Sequence, residues 1–206
     1  KTGLATFTTN HLSSFVVGHD AWKNPFTDVK STDWFFDAVK YAVQNELFTG
    51  TSATTFGPSA DMTRAMLVTV LYRMEGEPSV TGANSFTDVK DAQWYTNAIL
   101  WANEKKLVEG YGEGWFGTND PITREQMAAI LYRYAQMKGY STTRTAEFTK
   151  FTDAASVSAW ADAPMKWAVA EELISGTSST TLTPTGTATR AQVATILMRF
   201  MENAAK

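Results

Sequence analysis

The chain has 206 residues, of which 44% are hydrophobic and 13% aromatic, and its formal net charge is −3. This length and composition predict a soluble globular protein with one substantial core or a few small coupled cores. Lys and Arg are dispersed and no apolar run approaches the roughly 20 residues of a membrane span, which argues against nucleic-acid and membrane partners.

The first 25 residues differ from the rest of the chain. The stretch "ATFTTNHLSSFVVGHD" contains Thr, Phe and Val in partial alternation, which favours an extended segment, but no partner strand follows. We interpret residues 1–25 as the tail of an upstream domain or a linker, with a loosely ordered tail as the alternative. The chain starts at Lys1 without a methionine, so we expect an upstream cargo domain in the same chain.

From Phe26 onward the sequence repeats three times. "FTDVKSTDWFFDAVKYAVQNELFTG" from Phe26 recurs as "FTDVKDAQWYTNAILWANEKKLVEG" from Phe86 and as "FTDAASVSAWADAPMKWAVAEELISG" from Phe151. A Thr/Gly-rich loop and a second helical pattern follow each copy. The repeats define unit 1 (26–76), unit 2 (86–138) and unit 3 (151–203), separated by Gly-, Ser- and Thr-containing linkers.

The first helix of each unit is predicted from apolar residues at steps of three and four. In unit 2 these include Trp94, Ala98 and Trp101, and Gly110 is predicted to supply a left-handed C-cap. Corresponding residues in the three units are the repeat tryptophans (Trp34, Trp94, Trp160) and the repeat glycines (Gly50, Gly110, Gly176).

The second helix of each unit has an equally regular apolar face. In unit 2 its members are Met127, Ile130, Leu131 and Tyr134. A threonine directly before each second helix is predicted to be its N-cap, because a hydroxyl there accepts from an unpaired backbone N–H. These threonines are Thr63, Thr123 and Thr189.

Such short units cannot bury their apolar faces alone, so neighbouring units must share a core. We predict an all-α fold in which three helix-loop-helix repeats close into a pseudo-threefold bundle, with a short N-terminal extended segment. Closure is favoured over a linear stack because the first helices could pack at a central axis and leave no end repeat exposed. Residues 26–203 are then one cooperative module.

An arginine follows each N-cap threonine, at the positive end of a helix, where a cation is mildly unfavourable. These motif arginines are Arg64, Arg124 and Arg190. A helix N-terminus aims N–H donors at one spot, and a guanidinium beside it adds a planar fork that matches a carboxylate. The pattern therefore predicts three anion-binding pockets.

The motifs "FTDV", "W", "FG", "ITREQ" and "LYRY" together resemble the S-layer homology domain, in three consecutive copies over about Phe26–Glu202. The resemblance implies non-covalent anchoring of an exported protein on the bacterial cell surface. Its implied partner is an anionic secondary cell-wall polysaccharide, commonly with pyruvate ketals on N-acetylmannosamine. It also implies that the motif arginines contact the ligand.

The family motif is typically Thr-Arg-Ala-Glu, and two units keep a polar residue at its fourth position, as Gln126 and Gln192, whereas unit 1 has Met66. We include both glutamines among the ligand candidates. Because unit 1 lacks this polar group, Arg124→Ala and Arg190→Ala are predicted to weaken polymer binding more than Arg64→Ala.

An aspartate recurs as faithfully as the arginine, and these repeat aspartates are Asp28, Asp88 and Asp153. One interpretation is an internal Asp–Arg pair that ties the start of a unit to its second helix without any ligand. The other is that the aspartate orients the arginine for ligand binding or caps the first helix. The family resemblance favours ligand binding.

Aromatic residues are further ligand candidates. Core packing is the ordinary role of a tryptophan at helical spacing, but the repeat tryptophans could also stack on sugar rings. Trp115 stands among glycines in "GYGEGWFGTND", so exposure is expected there. Residues 112–117 match G-x-G-x-x-G by accident, because a helix precedes them, and no cofactor is implied.

The inventory of reactive residues argues against catalysis. The two histidines, His11 and His19, lie before the repeats, so a His-based nucleophile system or His-rich metal site within them is excluded. Acids in the unit 1 and unit 2 loops do not recur in all three units. We therefore predict a non-enzymatic anchoring module that binds polysaccharide in grooves between repeats, where the repeat glycines and the loop residues beside them shape the sugar contact. The alternative is a self-association module of a surface lattice without direct sugar binding.

Overall fold

The computed structural model describes residues 22–205. Within this range the regular structure is helical, and the all-α class and three-repeat organisation are confirmed. The α-helices are α1 (Phe36–Gln44), α2 (Arg64–Met74), α3 (Thr96–Glu104), α4 (Arg124–Lys138), α5 (Asp162–Ala170) and α6 (Arg190–Arg199). Two 3-10 turns, Ala154–Ser156 and Ala159–Ala161, precede α5, and a π-helical turn, Phe200–Ala204, continues α6. The predicted N-terminal extended segment lies outside the described residues, except for residues 22–25, which have no regular secondary structure.

The first helices are shorter than predicted at both ends. Helix α3 begins at Thr96, after Trp94, and ends at Glu104. The left-handed residue that follows is Lys106, with φ of 59°, and the N–H groups of Leu107 and Val108 turn back to donate to Ala102. The prediction that Gly110 caps this helix is therefore wrong. The chain turns earlier because Leu107 and Val108 must reach the core, where both are buried.

The repeat glycines serve a different purpose. A Cβ atom built on Gly50 would lie 2.3 Å from the carbonyl oxygen of Ser52, and one on Gly176 would lie 2.3 Å from that of Ser178. At Gly110 the backbone has φ of +78°, and a Cβ would lie 2.6 Å from the carbonyl oxygen of Trp115. Glycine is needed here because the loop folds back onto its own start.

The segments just before the second helices join the three units. The N–H of Met62 donates to the carbonyl of Ala188 (2.9 Å), that of Ala188 to Ile122 (3.0 Å), and that of Ile122 to Met62 (2.8 Å). All three residues are buried. The three hydrogen bonds form a cycle in which each unit donates to one neighbour and accepts from the other.

The helices follow the same cyclic order. Helix α3 packs on α2, α5 packs on α4, and α1 packs on α6. Each first helix thus covers the second helix of the preceding unit, and the expectation that the first helices pack together at an axis is wrong. The second helices are the more deeply buried set, because the neighbouring unit covers a face that a solvent-facing helix would leave free. The hydrogen bonds and the helix packing thus follow the same cyclic order of units, and closure around a pseudo-threefold axis stays a prediction.

Candidate functional site

The second helices begin as the sequence predicts. The hydroxyl groups of the three N-cap threonines accept from the N–H groups of Met66, Gln126 and Gln192. In α4 and α6 the glutamine side chain also accepts from the threonine N–H, which completes a capping box. Helix α2 has Met66 at this position and lacks the reciprocal bond. Gln126 and Gln192 are therefore capping residues in addition to their place at the surface.

Each second helix presents one stripe to a surface groove. In α4 the stripe consists of Gln126, Ala129, Ile130 and Arg133, at steps of three, one and three residues. This spacing places the four residues on one helix face over two turns. The corresponding stripes are Met66, Thr69, Val70 and Arg73 in α2, and Gln192, Thr195, Ile196 and Arg199 in α6.

The structure contains three corresponding grooves, named here after the unit that supplies the stripe. Grooves 1, 2 and 3 have volumes of about 300, 420 and 300 Å³. Each combines a stripe and repeat glycine from one unit, a motif arginine from the preceding unit and a repeat tryptophan from the next. Those partners are Gly50, Arg190 and Trp94 in groove 1, Gly110, Arg64 and Trp160 in groove 2, and Gly176, Arg124 and Trp34 in groove 3.

The motif arginines lie at the junctions between units. The Nε of Arg64 donates to the carbonyl of Phe116, that of Arg124 to Leu182, and that of Arg190 to Phe56, at 2.9 to 3.0 Å. The Nη2 of Arg190 also donates to Thr49, and that of Arg124 to Ser175. The exposed fractions of the three residues are only 5%, 6% and 7%. Each motif arginine therefore fastens its own helix to the loop of the next unit.

The repeat aspartates hold the same loops from the other side. The carboxylate of Asp28 accepts from the N–H groups of Phe56 and Gly57, both at 2.8 Å. Asp88 accepts from residues 116, 117 and 118, and Asp153 from residues 182 and 183. At Phe56 the N–H thus faces an aspartate of its own unit while the carbonyl accepts from an arginine of another unit.

This geometry corrects the prediction of an Asp–Arg pair within one unit. Within residues 22–205, no carboxylate lies within ion-pair distance of a motif arginine. Asp88 is linked through Phe116 to Arg64 of unit 1, not to Arg124 of its own unit. The aspartates do not cap the first helices, and they do not line the three grooves. Their contact with the arginines is indirect, through one loop residue.

The electrostatics follow from this arrangement. Burial lowers the pKa of each motif arginine. Tyr111 and then Asp120 and Asp88 oppose the shift at Arg64, Asp153 opposes it at Arg124, and Asp28 opposes it at Arg190. Guanidinium stays protonated at neutral pH, so three positive charges that are bonded mainly to neutral carbonyls line the grooves. For Asp28 and Asp88, burial raises the pKa, but the backbone N–H groups outweigh it and the pKa is lowered. The N–H groups of Leu182 and Thr183 lower the pKa of Asp153 in the same way.

The motif residues of one unit are divided between two grooves. Arg64 lines groove 2 beside Gln126, whereas Met66, two residues after it, lines groove 1 beside Arg190. The predicted ranking of the arginine variants assumed that Arg64 and Met66 share a site, and this assumption is wrong. Successive helix residues differ by about 100° in direction, so neighbours in a motif face different surfaces.

The repeat tryptophans are not core residues. Trp34, Trp94 and Trp160 are 67%, 58% and 53% exposed, and each lies at the edge of a groove. The tryptophans buried in the first helices are Trp101 and Trp167, which contact Tyr72 and Tyr132 of the neighbouring units. Trp115 is also exposed, as expected, but it does not line the three grooves.

Three further arginines, which were not singled out from the sequence, line the groove walls. These outer arginines are Arg73, Arg133 and Arg199. All three are partly exposed, and each donates from Nη1 to a backbone carbonyl in its own unit, at Leu47, Leu107 and Glu172. The sequence spacing could have identified them, because an arginine recurs nine residues after every motif arginine. Nine residues correspond to two and a half helical turns, so one helix serves two different grooves.

Two other features, a metal site and a membrane-spanning helix, are not found among residues 22–205. Between residues 22 and 205, no group of three or more His, Asp or Glu side chains is arranged to hold a metal ion. In the same range, no helix is both long and apolar enough to cross a membrane.

Three tandem helical units joined in a cycle, with a groove at each junction, define a repeat module with three related surface sites. A family model for the S-layer homology domain matches residues 25–65, 85–128 and 150–194. The chain belongs to this family.

Similar proteins are much longer than this chain. An amylopullulanase of Thermoanaerobacterium thermosulfurigenes is 30% identical over 98% of this chain and 11% of its own length. An endoglucanase of Bacillus sp. (strain KSM-635) is 34% identical over 86% of this chain and 19% of its own length. A cellulosome-anchoring protein of Acetivibrio thermocellus is 28% identical over 71% of this chain and 33% of its own length. The chain thus spans a third or less of these relatives.

Proposed function

We propose that this chain anchors a larger protein on the bacterial cell surface by binding an anionic, pyruvylated secondary cell-wall polysaccharide. The observation that carries the proposal is the threefold recurrence of a groove with two arginines, a glycine-lined floor and an exposed tryptophan. Membership of the S-layer homology family and the similarity to a cellulosome-anchoring protein support the same function.

The outer arginines make the direct contact with carboxylates of the polymer. They are partly exposed and lie on the groove wall, whereas the Nε groups of the motif arginines are already bonded to backbone carbonyls. A guanidinium pairs well with a carboxylate through two parallel N–H donors. The motif arginines add positive potential to the grooves that they line, because no carboxylate of the described residues pairs with them directly.

The remaining groove residues shape the contact with the sugar. An exposed tryptophan at each groove edge offers an apolar face for the C–H surface of a pyranose ring, and its indole N–H is available as a donor. The repeat glycines leave the groove floor open at the point where the loop begins. The repeat aspartates act as positioning residues for the loop.

Three grooves on one module suit a repeating polymer. When one groove is occupied, the others meet neighbouring segments of the same chain at high effective concentration, so the combined affinity exceeds that of any single groove. We propose that the longer protein to which this chain belongs carries its cargo in a separate domain. Anchoring then requires no chemistry from the repeats.

The test replaces all three outer arginines with glutamine in the module formed by the three units. We expect affinity for pyruvylated wall polysaccharide to fall about 100-fold or more, because each groove loses a charge-assisted contact and avidity falls with it. Calorimetry with the purified polymer measures the affinity, and thermal unfolding checks that the fold is retained. The matched control replaces three exposed lysines that do not line the grooves, Lys30, Lys90 and Lys105, with glutamine.

The control removes the same total charge and is expected to bind within about threefold of the unmodified module, since long-range effects are screened by salt. Equal affinity of the arginine variant and the unmodified module would reject the proposed contact. Equal affinity for the polymer before and after mild-acid removal of pyruvate would reject the anionic ligand. Concentration-dependent association in sedimentation experiments without polysaccharide, together with no polymer binding, would favour self-association instead.

A further inference from the structure

Groove 2 differs from the other two grooves at the residue that follows the repeat glycine. This residue is Tyr111 in unit 2, whereas units 1 and 3 have Thr51 and Thr177. Tyr111 is 50% exposed and lines the groove. Groove 2 is also the largest of the three, at about 420 Å³.

Three contacts hold the Tyr111 side chain in place. The guanidinium carbon of Arg64 lies 4.5 Å from the centre of the ring. A Cβ atom on Gly117 would lie 2.4 Å from a carbon of the same ring, so the ring lies directly against this glycine. The Nε2 of Gln126 donates to the Tyr111 hydroxyl at 3.1 Å. The ring is therefore ordered before any ligand binds, although half of it faces solvent.

A second aromatic side chain lines the same groove. Trp160, from unit 3, is 53% exposed. Rigid aromatic side chains provide contact area at a low cost in conformational entropy. Grooves 1 and 3 have a single exposed tryptophan and a threonine where groove 2 has a tryptophan and a tyrosine.

We propose that groove 2 binds a neutral pyranose residue of the wall polymer, stacked on Tyr111 and Trp160, next to the acidic residue held by Arg133. This inference rests on the proposed function and assigns a distinct ligand to one of the three grooves. The Tyr111 ring stacks on Arg64, so one face of the guanidinium in this groove is occupied by an aromatic ring. The tyrosine hydroxyl accepts from Gln126 and keeps its own proton for a sugar oxygen. A neutral, hydroxyl-bearing ring matches this surface.

The test compares Tyr111→Thr with the unmodified module on two probes, the intact polysaccharide and the same polymer after mild-acid removal of pyruvate. We expect the unmodified module to retain measurable affinity for the pyruvate-free polymer, with little dependence on salt, because stacking is not screened by ions. Tyr111→Thr should lower that affinity by about fivefold to tenfold. Tyr111→Phe should lower it less, by about twofold to threefold, because the ring remains and only the hydroxyl contacts are removed.

A reciprocal variant tests whether a tyrosine at this position is sufficient to create a stacking site in another groove. Thr51→Tyr places a ring in groove 1, where Gly57 stands at the position of Gly117 and Arg190 at that of Arg64. We expect it to raise the affinity for the pyruvate-free polymer, because groove 1 then offers a ring beside Trp94. Thermal unfolding of each variant separates loss of binding from loss of fold.

The outcomes separate this inference from the proposed function. If the unmodified module binds intact polymer but not the pyruvate-free polymer, or if Tyr111→Thr binds the latter as well as the unmodified module does, the stacking site is rejected while anchoring stands. If the unmodified module binds neither polymer, both proposals are rejected. Loss of affinity in Tyr111→Thr with a smaller loss in Tyr111→Phe supports the site.

Discussion

At each junction between units, the buried contacts are the same in all three copies, whereas the residues that line the groove differ between copies. In the interior, every copy has a buried arginine that donates to a loop carbonyl and an aspartate that accepts from the N–H groups of the same loop. In the grooves, the residue after the repeat glycine is Thr51, Tyr111 or Thr177, and the fourth motif position is Met66 in one copy and glutamine in two.

This difference shows that two functions share one short motif. The interior bonds must have the same geometry in each unit, because all three units join in one cycle. The groove surfaces face solvent, where a change of side chain costs little stability. A motif residue therefore has to be assigned to the interior or to a groove by its helix face before it is assigned a ligand.

The largest effect is expected from removing an interior arginine. Arg124→Ala leaves the buried carbonyl of Leu182 and the partly buried carbonyl of Ser175 without their donor, which should cost about 3 kcal/mol in free energy of unfolding. Urea titration followed by fluorescence and circular dichroism measures this cost. If residues 26–203 form one cooperative module, both signals should still change in a single transition.

Arg133→Ala is the matched control on the same helix, because Arg133 is partly exposed and lies on the groove wall. Its loss should cost under about 1 kcal/mol. Equal destabilisation by the two substitutions would contradict the distinction between interior and groove arginines.

An intermediate effect is expected at the repeat aspartates. Asp88→Asn exchanges one acceptor oxygen for a donor that faces backbone N–H groups, and we expect a loss of about 1 to 2 kcal/mol at neutral pH. Since the pKa of Asp88 is lowered in the folded protein, its contribution is complete above the ordinary aspartate pKa of about 3.9 and is lost as the pH falls through the folded pKa. Melting temperatures measured from pH 7 to pH 3 should therefore fall less steeply below pH 4 for Asp88→Asn than for the unmodified module.

Asp37→Asn, at an exposed aspartate of α1, is the comparison for this experiment. It should leave the melting temperature at pH 7 within about 2 °C of that of the unmodified module. If the melting temperature of Asp88→Asn falls as steeply below pH 4 as that of the unmodified module, the hydrogen bonds of Asp88 to the loop contribute little to stability.

The smallest effect is expected from exchanging the fourth motif residue. Met66→Gln gives α2 the capping box present in α4 and α6, which should raise the free energy of unfolding by about 0.5 kcal/mol. The reverse change, Gln192→Met, should lower it by a similar amount. Chemical denaturation measures the free energy of unfolding of both variants. A loss of stability in Met66→Gln would mean that the packing of Met66 contributes more than a capping glutamine.

Much of the fold could be predicted from the sequence because the repeats are in register. The spacing between corresponding residues fixed the three units, and apolar steps of three and four located the second helices. The N-cap threonines were identified correctly, since their signal lies within four residues of chain. The ends of the first helices were less well predicted, because burial of Leu107 and Val108 moves the turn away from Gly110.

The grooves were harder to predict because their parts come from different units. Sequence order placed Arg64 beside Met66, but the fold places Arg64 beside Gln126 and Met66 beside Arg190. Core packing was the ordinary expectation for Trp94, and its exposure follows from its position before α3 rather than within it. The outer arginines could have been found from their regular recurrence, whereas the binding of the loop N–H groups by the repeat aspartates required coordinates.

The cycle of three hydrogen bonds among Met62, Ile122 and Ala188 restricts how such a protein can change in length. Duplicating one unit would add a segment whose donor and acceptor have no place among three mutually satisfied partners, and deleting one would leave a donor and an acceptor unmatched at a buried position. Gain or loss of repeats should therefore proceed in whole triplets, in contrast to open solenoids, which can grow by single repeats.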